Sequence, residues 1–185
     1  MKRKEKMIVV ACGGGIDGFE ILNLYLKVHF AMAKTVKTIL FPGPHMPEEK
    51  VKHLQMAIRK NKNIYIERFT GGTNYSLADW MNTADLFIGM SGYNTLAEIL
   101  TTRVRSIIMP HHPRIEEEQF IHASALKKMN LIEMIDPRRT GKKSLLEAIH
   151  RNLHLEKLKQ KQTKHMINGS IKAAKKIKQI LNRAN

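Results

Sequence analysis

Residues 84–119 carry the spacing most suggestive of chemistry. Leu86-Phe87-Ile88 is an apolar run that ends in Gly89, Ser91 and Gly92. Helical spacing then begins at Tyr93-Asn94-Thr95 and puts one acid, Glu98, on the second turn. A second apolar run, Ser106 to Met109, stops at Pro110 and leads to an acidic helix start closed by Gln119. Strand, small-residue turn, helix, strand, polar loop and helix is a layout that binds a diphosphate at the C-terminal edge of a parallel sheet. Gly89 and Gly92 let backbone approach an anion closely. Ser91, Asn94 and Thr95 can cap a helix whose free N–H groups point at phosphate oxygens. An ionised Glu98 only accepts hydrogen bonds, which suits two vicinal ribose hydroxyls. Gln119 both donates and accepts, which suits sugar hydroxyls.

A second glycine cluster, Gly13-Gly14-Gly15-Ile16-Asp17-Gly18, fits G-x-G-x-x-G after a strand. Alone it suggests a dinucleotide site, which needs an acid at the end of strand two. That place reads Leu40-Phe41-Pro42-Gly43-Pro44, with no acid. A tight strand-to-helix turn without a ligand would also account for the glycines. His45, His111 and His112 read as loop residues near the pocket, because no cysteine cluster or i,i+4 partner supports a metal. Cys12 reads as a small buried strand residue, since no basic neighbour would lower its pKa. Trp80 reads as packing.

The elements that position these residues alternate strand and helix. Strands are predicted at Met7–Cys12, Thr38–Phe41, Ile64–Ile66, Leu86–Ile88, Ser106–Met109 and Leu131–Ile135. Helices are predicted at Phe19–Ala33, Pro47–Asn61, Leu77–Thr83, from Tyr93, at Glu116–Met129 and at Ser144–Leu153. Such alternation implies an α/β, Rossmann-like parallel sheet of about six strands with helices on both faces. Residues 1–6 read as a basic tail, 7–155 as the domain, and 156–185 as a basic linker and amphipathic helix. In that helix Ile167, Ile171, Ala174, Ile177 and Leu181 share roughly one face, and Lys172, Lys175, Lys176 and Lys178 crowd the rest. The pattern suits a helix docked on its own domain, one bracing a neighbouring domain, or one lying on an anionic membrane.

The 185 residues carry a net charge of +16. Residues 138–185 hold 14 Lys/Arg against Glu147 and Glu156, so the region 7–137 is nearly neutral. A nucleic-acid-binding fold more often spreads basic charge over its working face, so no nucleic-acid partner is expected. No apolar run approaches the roughly 20 residues of a membrane span. The run after the basic start reads as a core strand and not a signal peptide. A single cysteine excludes an internal disulfide and fits a reducing cytoplasm.

Four motifs in register carry a family resemblance. They are Gly13-Gly14-Gly15-Ile16-Asp17-Gly18, Gly43-Pro44-His45-Met46-Pro47, Ser91-Gly92-Tyr93-Asn94-Thr95-Leu96-Ala97-Glu98-Ile99-Leu100, and Pro113-Arg114-Ile115-Glu116-Glu117-Glu118-Gln119. Over about residues 7–155 the chain resembles the C-terminal, nucleotide-sugar-binding half of GT-B glycosyltransferases. It resembles most the family 28 group, which includes an enzyme acting on a lipid-linked cell-wall precursor and so implies a cell-envelope role, and more narrowly a set of predicted bacterial glycosyltransferases. The resemblance implies that Gly14, Gly15 and Asp17 lie in the turn closing over the diphosphate. It puts Phe69 near the base, and Ser91, Gly92, Tyr93 and Asn94 at the phosphate. Glu98 falls on the ribose, and Glu118 and Gln119 on the donor sugar.

The resemblance further implies the donor domain of an inverting hexosyltransferase that uses a UDP-sugar. It implies no obligatory metal or cofactor, and no catalytic residue in this chain. The acceptor half and its base would come from an N-terminal domain or partner subunit absent from these 185 residues. The expected location is the cytoplasm, at the inner face of the membrane if the basic end contacts lipid. A non-catalytic nucleotide-sugar-binding subunit and a nucleotide-sugar epimerase domain are the alternatives.

Overall fold

A computed structural model describes residues 5–32, 35–68, 76–110, 117–136, 141–163 and 169–182. The strands are β1 (Lys6–Ala11), β2 (Val36–Phe41), β3 (Ile64–Ile66), β4 (Leu86–Gly89), β5 (Ser106–Ile108) and β6 (Glu133–Met134). The helices are α1 (Phe19–His29), α2 (Glu48–Ile58), α3 (Leu77–Thr83), α4 (Tyr93–Thr102), α5 (Glu117–Lys128), α6 (Lys142–Leu153), α7 (Gln160–Thr163) and α8 (Gly169–Leu181). The sheet runs in the order β3-β2-β1-β4-β5-β6, and every pairing is parallel. The α/β Rossmann-like expectation of about six parallel strands holds.

The alternation of β1 explains the layers. Its side chains point to opposite faces in turn, and both faces are apolar, as a strand covered on both sides requires. Ile8 and Val10 join Leu22 and Tyr25 of α1, Leu54 of α2 and Ile149 of α6 in one core. Val9 and Ala11 join Met81 of α3, Ile99 of α4 and Leu126 of α5 in the other. The centre of the sheet is therefore β1 beside β4, where Ala11 is in register with Gly89. The strand order reverses at that pair, and the crevice beyond it is where such sheets bind ligands.

The ends of elements differ from the sequence reading in instructive places. Strand β6 contains only Glu133 and Met134. Leu131 and Ile132, expected as its start, are buried in the second core but precede the ladder. Burial produced their apolar signal, without strand pairing. Helix α6 starts at Lys142, two residues before the expected Ser144. Ser144 sits inside its first turn, where the Gly141 N–H donates to its hydroxyl at 3.0 Å. Beyond residue 155 the chain does not leave the domain at once. Leu158 is 2% exposed and belongs to the second core, and its N–H donates to the Arg103 carbonyl at 2.9 Å. One apolar residue among lysines and glutamines is lost in a compositional average.

Candidate functional site

Two neighbouring cavities open past the ends of β1 and β4. The larger, about 500 Å³, is walled by Ala11, Gly13 and Gly14 after β1 and by Gly92, Tyr93, Asn94, Thr95 and Glu98 of α4 and its cap. Phe41 and Pro44 close it on the β2 side, and Ser76 and Leu77 at the start of α3. The smaller, about 220 Å³, is lined by Gly13, Gly14, Gly15, Asp17, Gly92 and Gln119, with Cys12, Ile16 and Met90. Gly13, Gly14 and Gly92 belong to both. The glycine turn and the start of α4, far apart in sequence, thus form one continuous site.

The glycine turn owes much of its composition to packing. Gly15 has φ +94°, and a Cβ there would lie 2.3 Å from the Pro42 carbonyl oxygen. A Cβ on Gly43, at φ +79°, would lie 2.4 Å from the Gly13 carbonyl oxygen. The two loops therefore interlock backbone to backbone, and the His45 N–H donates to the Gly14 carbonyl at 2.9 Å. At Gly14 itself a Cβ would meet only the His45 ring, at 3.7 Å. Gly14 is the position where a side chain would intrude on the cavity and not on the fold.

Helix α4 opens without a cap. Its N-cap is Gly92, and among the described residues no side-chain cap bond is made there. Ser91, Asn94 and Thr95 were expected as caps; none serves as one. Ser91 is fully buried, and its hydroxyl donates to the Gln119 backbone carbonyl at 3.0 Å, with the Gln119 Oε1 at 3.3 Å. The serine holds Gln119 in the smaller cavity and does not cap the helix N–H groups. The first N–H groups of a helix have no intrahelical acceptor and carry the positive end of its dipole. With Tyr93, Asn94 and Thr95 in the cavity wall, that positive end faces the space beside the glycine turn.

Glu98 lies on the same wall, half-buried, and burial pushes its carboxyl pKa up. Helix α4 thus presents donors at its start and an acceptor five residues later, about 7.5 Å along the axis. Gln119 reaches the site, whereas Glu118 does not line either cavity. Glu118 is exposed, with His122 Nδ1 3.7 Å from its carboxylate. Neighbours on a helix point about 100° apart, so one of the pair faces the site and the other faces solvent. Cys12 donates to the Pro42 carbonyl at 3.2 Å, and burial pushes its thiol up to about 12, which disfavours the thiolate. Phe69, His111 and His112 lie outside the described residues. Arg68, next to Phe69, pairs with Glu48 at 2.6 Å on the surface.

Ser76 was missed by sequence reasoning. Its hydroxyl caps α3 by accepting from the Asp79 N–H at 3.3 Å, and the Asp79 carboxylate accepts from the Ser76 N–H at 2.8 Å. That S-x-x-D box is visible in the sequence as a helix start; its place in the same cavity as Glu98 needs the folded sheet. Among the described residues no group of three or more His, Cys, Asp or Glu could hold a metal ion. Among them, too, no helix is long and apolar enough to cross a membrane.

The model of the glycosyltransferase family 28 C-terminal domain matches residues 7–181. Among curated proteins the chain is 27% identical to the UDP-N-acetylglucosamine–N-acetylmuramyl-(pentapeptide) pyrophosphoryl-undecaprenol N-acetylglucosamine transferase of Sulfurovum sp. (strain NBC37-1). That match covers 53% of this chain and 36% of the relative. Among solved structures the fold is similar to the glycotransferase of kitacinnamycin, with TM-score 0.68 and 17% identity, over 97% of this chain and 44% of that one. It is also similar to Acinetobacter baumannii MurG, with TM-score 0.61 and 15% identity, over 91% of this chain and 52% of that one. The chain thus spans about half the length, or less, of the proteins it matches. The motifs in register, the uncapped helix beside the glycine turn and the model match over residues 7–181 agree: the chain belongs to the glycosyltransferase family 28 C-terminal domain family.

Proposed function

We propose that this domain binds a UDP-sugar and presents it for inverting transfer to an acceptor hydroxyl, the acceptor half coming from another domain or chain. The observation that carries the reading is the single wall of α4, with an uncapped N-terminus and the half-buried Glu98 in one cavity. The diphosphate would lie at the N–H groups of Tyr93 and Asn94, beside Gly13 and Gly14. The ribose hydroxyls would donate to Glu98. The sugar would reach toward Gln119 and Asp17 in the adjoining cavity.

In the transfer, a base on the acceptor half takes the acceptor's proton. The acceptor oxygen bonds to the anomeric carbon from the face opposite the diphosphate. The old C–O bond breaks, and its electron pair leaves with UDP. This domain's part is to stabilise the negative charge growing on the leaving diphosphate. Oriented backbone N–H groups and a helix dipole supply that without reorganising. The acid that a nicotinamide or flavin dinucleotide would need at the end of β2 is replaced by Phe41 and Pro44 in the cavity wall, which disfavours that class.

Titration calorimetry of the pure chain tests the reading. UDP is expected to bind weakly, at about 10 μM to 1 mM, because half of the cleft is supplied elsewhere. Binding of NAD and not of uridine nucleotides would refute it.

A further inference from the structure

Among the described residues, neither cavity of the candidate site is lined by a lysine or an arginine. The charged side chains there are carboxylates, Glu98 in the larger cavity and Asp17 in the smaller. On the UDP-sugar reading, on which this assignment rests, the diphosphate lies beside Gly13 and Gly14. It then meets two anionic groups and only the partial positive charge of a helix end. The side chain that redresses the balance stands beside the lining, on the loop that grips the glycine turn.

That side chain is His45. Its backbone N–H donates to the Gly14 carbonyl at 2.9 Å. Gly43, at φ +79°, packs against the backbone of Gly13 and Gly14, and the buried Met46 anchors the loop in the first core. Between these two fixed points the imidazole is exposed. Its Cδ2 is the atom that a Cβ on Gly14 would meet, at 3.7 Å, and Nε2 is bonded to that carbon. The ring thus stands over Gly14, which lines both cavities. Among the described residues neither ring nitrogen has a hydrogen-bond partner, whereas His29 has the Thr38 hydroxyl and His122 has Glu118.

We propose that His45 donates a ring N–H to the donor's diphosphate and, once protonated, is the cation of this site. A protonated imidazole carries two donors and no acceptor, and charge-assisted bonds are roughly twice as strong as neutral ones. The contact strengthens as negative charge grows on the leaving diphosphate. Other charged groups on the neighbouring elements are engaged or face solvent. Glu48 pairs with Arg68 at 2.6 Å, Lys50 lies over the Phe19 ring, and His53 packs edge-on against the same ring. Glu20 and Glu49 are exposed in the first turns of α1 and α2.

Calorimetry of the pure chain with UDP-N-acetylglucosamine tests the proposal. A UDP-sugar, unlike UDP, has no terminal phosphate that titrates near neutrality. The acceptor half is absent from this chain, so an effect of His45 there belongs to donor binding and not to an interface between halves. Affinity should rise about fivefold from about pH 8 to about pH 6, the range in which an imidazole gains its proton. Carboxylates titrate below that range, and protonating Glu98 would lower affinity. His45→Gln should bind about fivefold more weakly than the parent at about pH 6 and show no rise. His45→Arg should restore the affinity and hold it constant with pH, because a guanidinium stays charged. Uridine, which has no phosphate, should bind the parent and His45→Gln alike in an NMR titration. Both variants keep the backbone bond to Gly14 and should melt as the parent does. The proposal is overturned if His45→Gln keeps the parent's affinity and pH trend, if His45→Arg loses as much as His45→Gln, or if uridine binding falls with UDP-sugar binding. A parent chain that binds no uridine nucleotide overturns the UDP-sugar reading and this proposal together; a parent that binds with His45 indifferent overturns the proposal alone.

Discussion

The Ser91 hydroxyl is buried against Gln119, donating to its backbone carbonyl at 3.0 Å with the side-chain Oε1 at 3.3 Å. A residue on the turn after β4 thereby sets the position of a residue at the start of α5. Ser91→Ala should cost about 1 kcal/mol of stability, a typical net hydrogen bond. Because the tether reaches the smaller cavity and not the α4 N–H groups, affinity for UDP should stay within about twofold, or about 0.4 kcal/mol. Discrimination among UDP-sugars should fall. Urea unfolding and calorimetry with UDP and several UDP-sugars check each part.

Glu98→Ala should lose on the order of 1–3 kcal/mol of UDP binding, since two hydroxyls lose a charged acceptor. Unchanged affinity would reduce Glu98 to a wall residue.

The same carboxyl gives a pH signature with two opposite signs. Burial raises its pKa, so the folded domain holds that proton more tightly than the unfolded chain does. Its contribution to stability is full below the ordinary glutamate range and is lost as pH rises through the raised value. On the proposed reading the ribose hydroxyls need the ionised form, so affinity should fall as pH drops through that raised value, up to about tenfold per unit. Glu98→Gln should flatten both trends. Calorimetry and thermal melts from the ordinary glutamate range upward would show them.

Gly14→Ala and Gly18→Ala should part company. A Cβ on Gly18 would sit 1.9 Å from the Cys12 Cβ, and the variant should unfold or lose several kcal/mol, about 3 or more. A Cβ on Gly14 meets only the His45 ring, at 3.7 Å. That variant should melt normally and bind UDP about tenfold more weakly, because the methyl occupies cavity space.

His29 supplies an acid-stability test away from the site. It is buried, with the Thr38 hydroxyl 3.0 Å from its Nδ1, and burial lowers its pKa. The folded state favours the neutral ring. Its stability contribution is present above the unfolded value of 6.5 and is lost as pH falls through the lower folded value. The melting midpoint should drop below pH 6.5, and His29→Gln should show a smaller drop.

The fold was legible because its strands are short apolar runs with turn signals at both ends, as at Leu86–Gly89. The cavity lining was legible where backbone forms it, at Gly14, Gly92 and the start of α4. It was less legible where a side chain has two possible employments. Ser91 could cap α4 or hold Gln119, and only the approach of α5 decides. Glu118 and Gln119 read alike until the rotation of α5 turns one away. The reason for Gly15 and Gly18 is likewise not local, since Pro42 and Cys12 press on them in three dimensions.

The backbone contact between Gly13 and Gly43 carries a consequence for engineering and for descent. Residues 13–18 and 42–46 form one mechanical unit, although 23 residues separate them in the chain. A chimera that imports either segment alone from a relative would pair a new loop with an old mould. Transplanting both together should preserve the interlock, and substitutions in natural lineages should be found in matched pairs across it. The unit of exchange at this edge of the sheet is therefore a pair of loops.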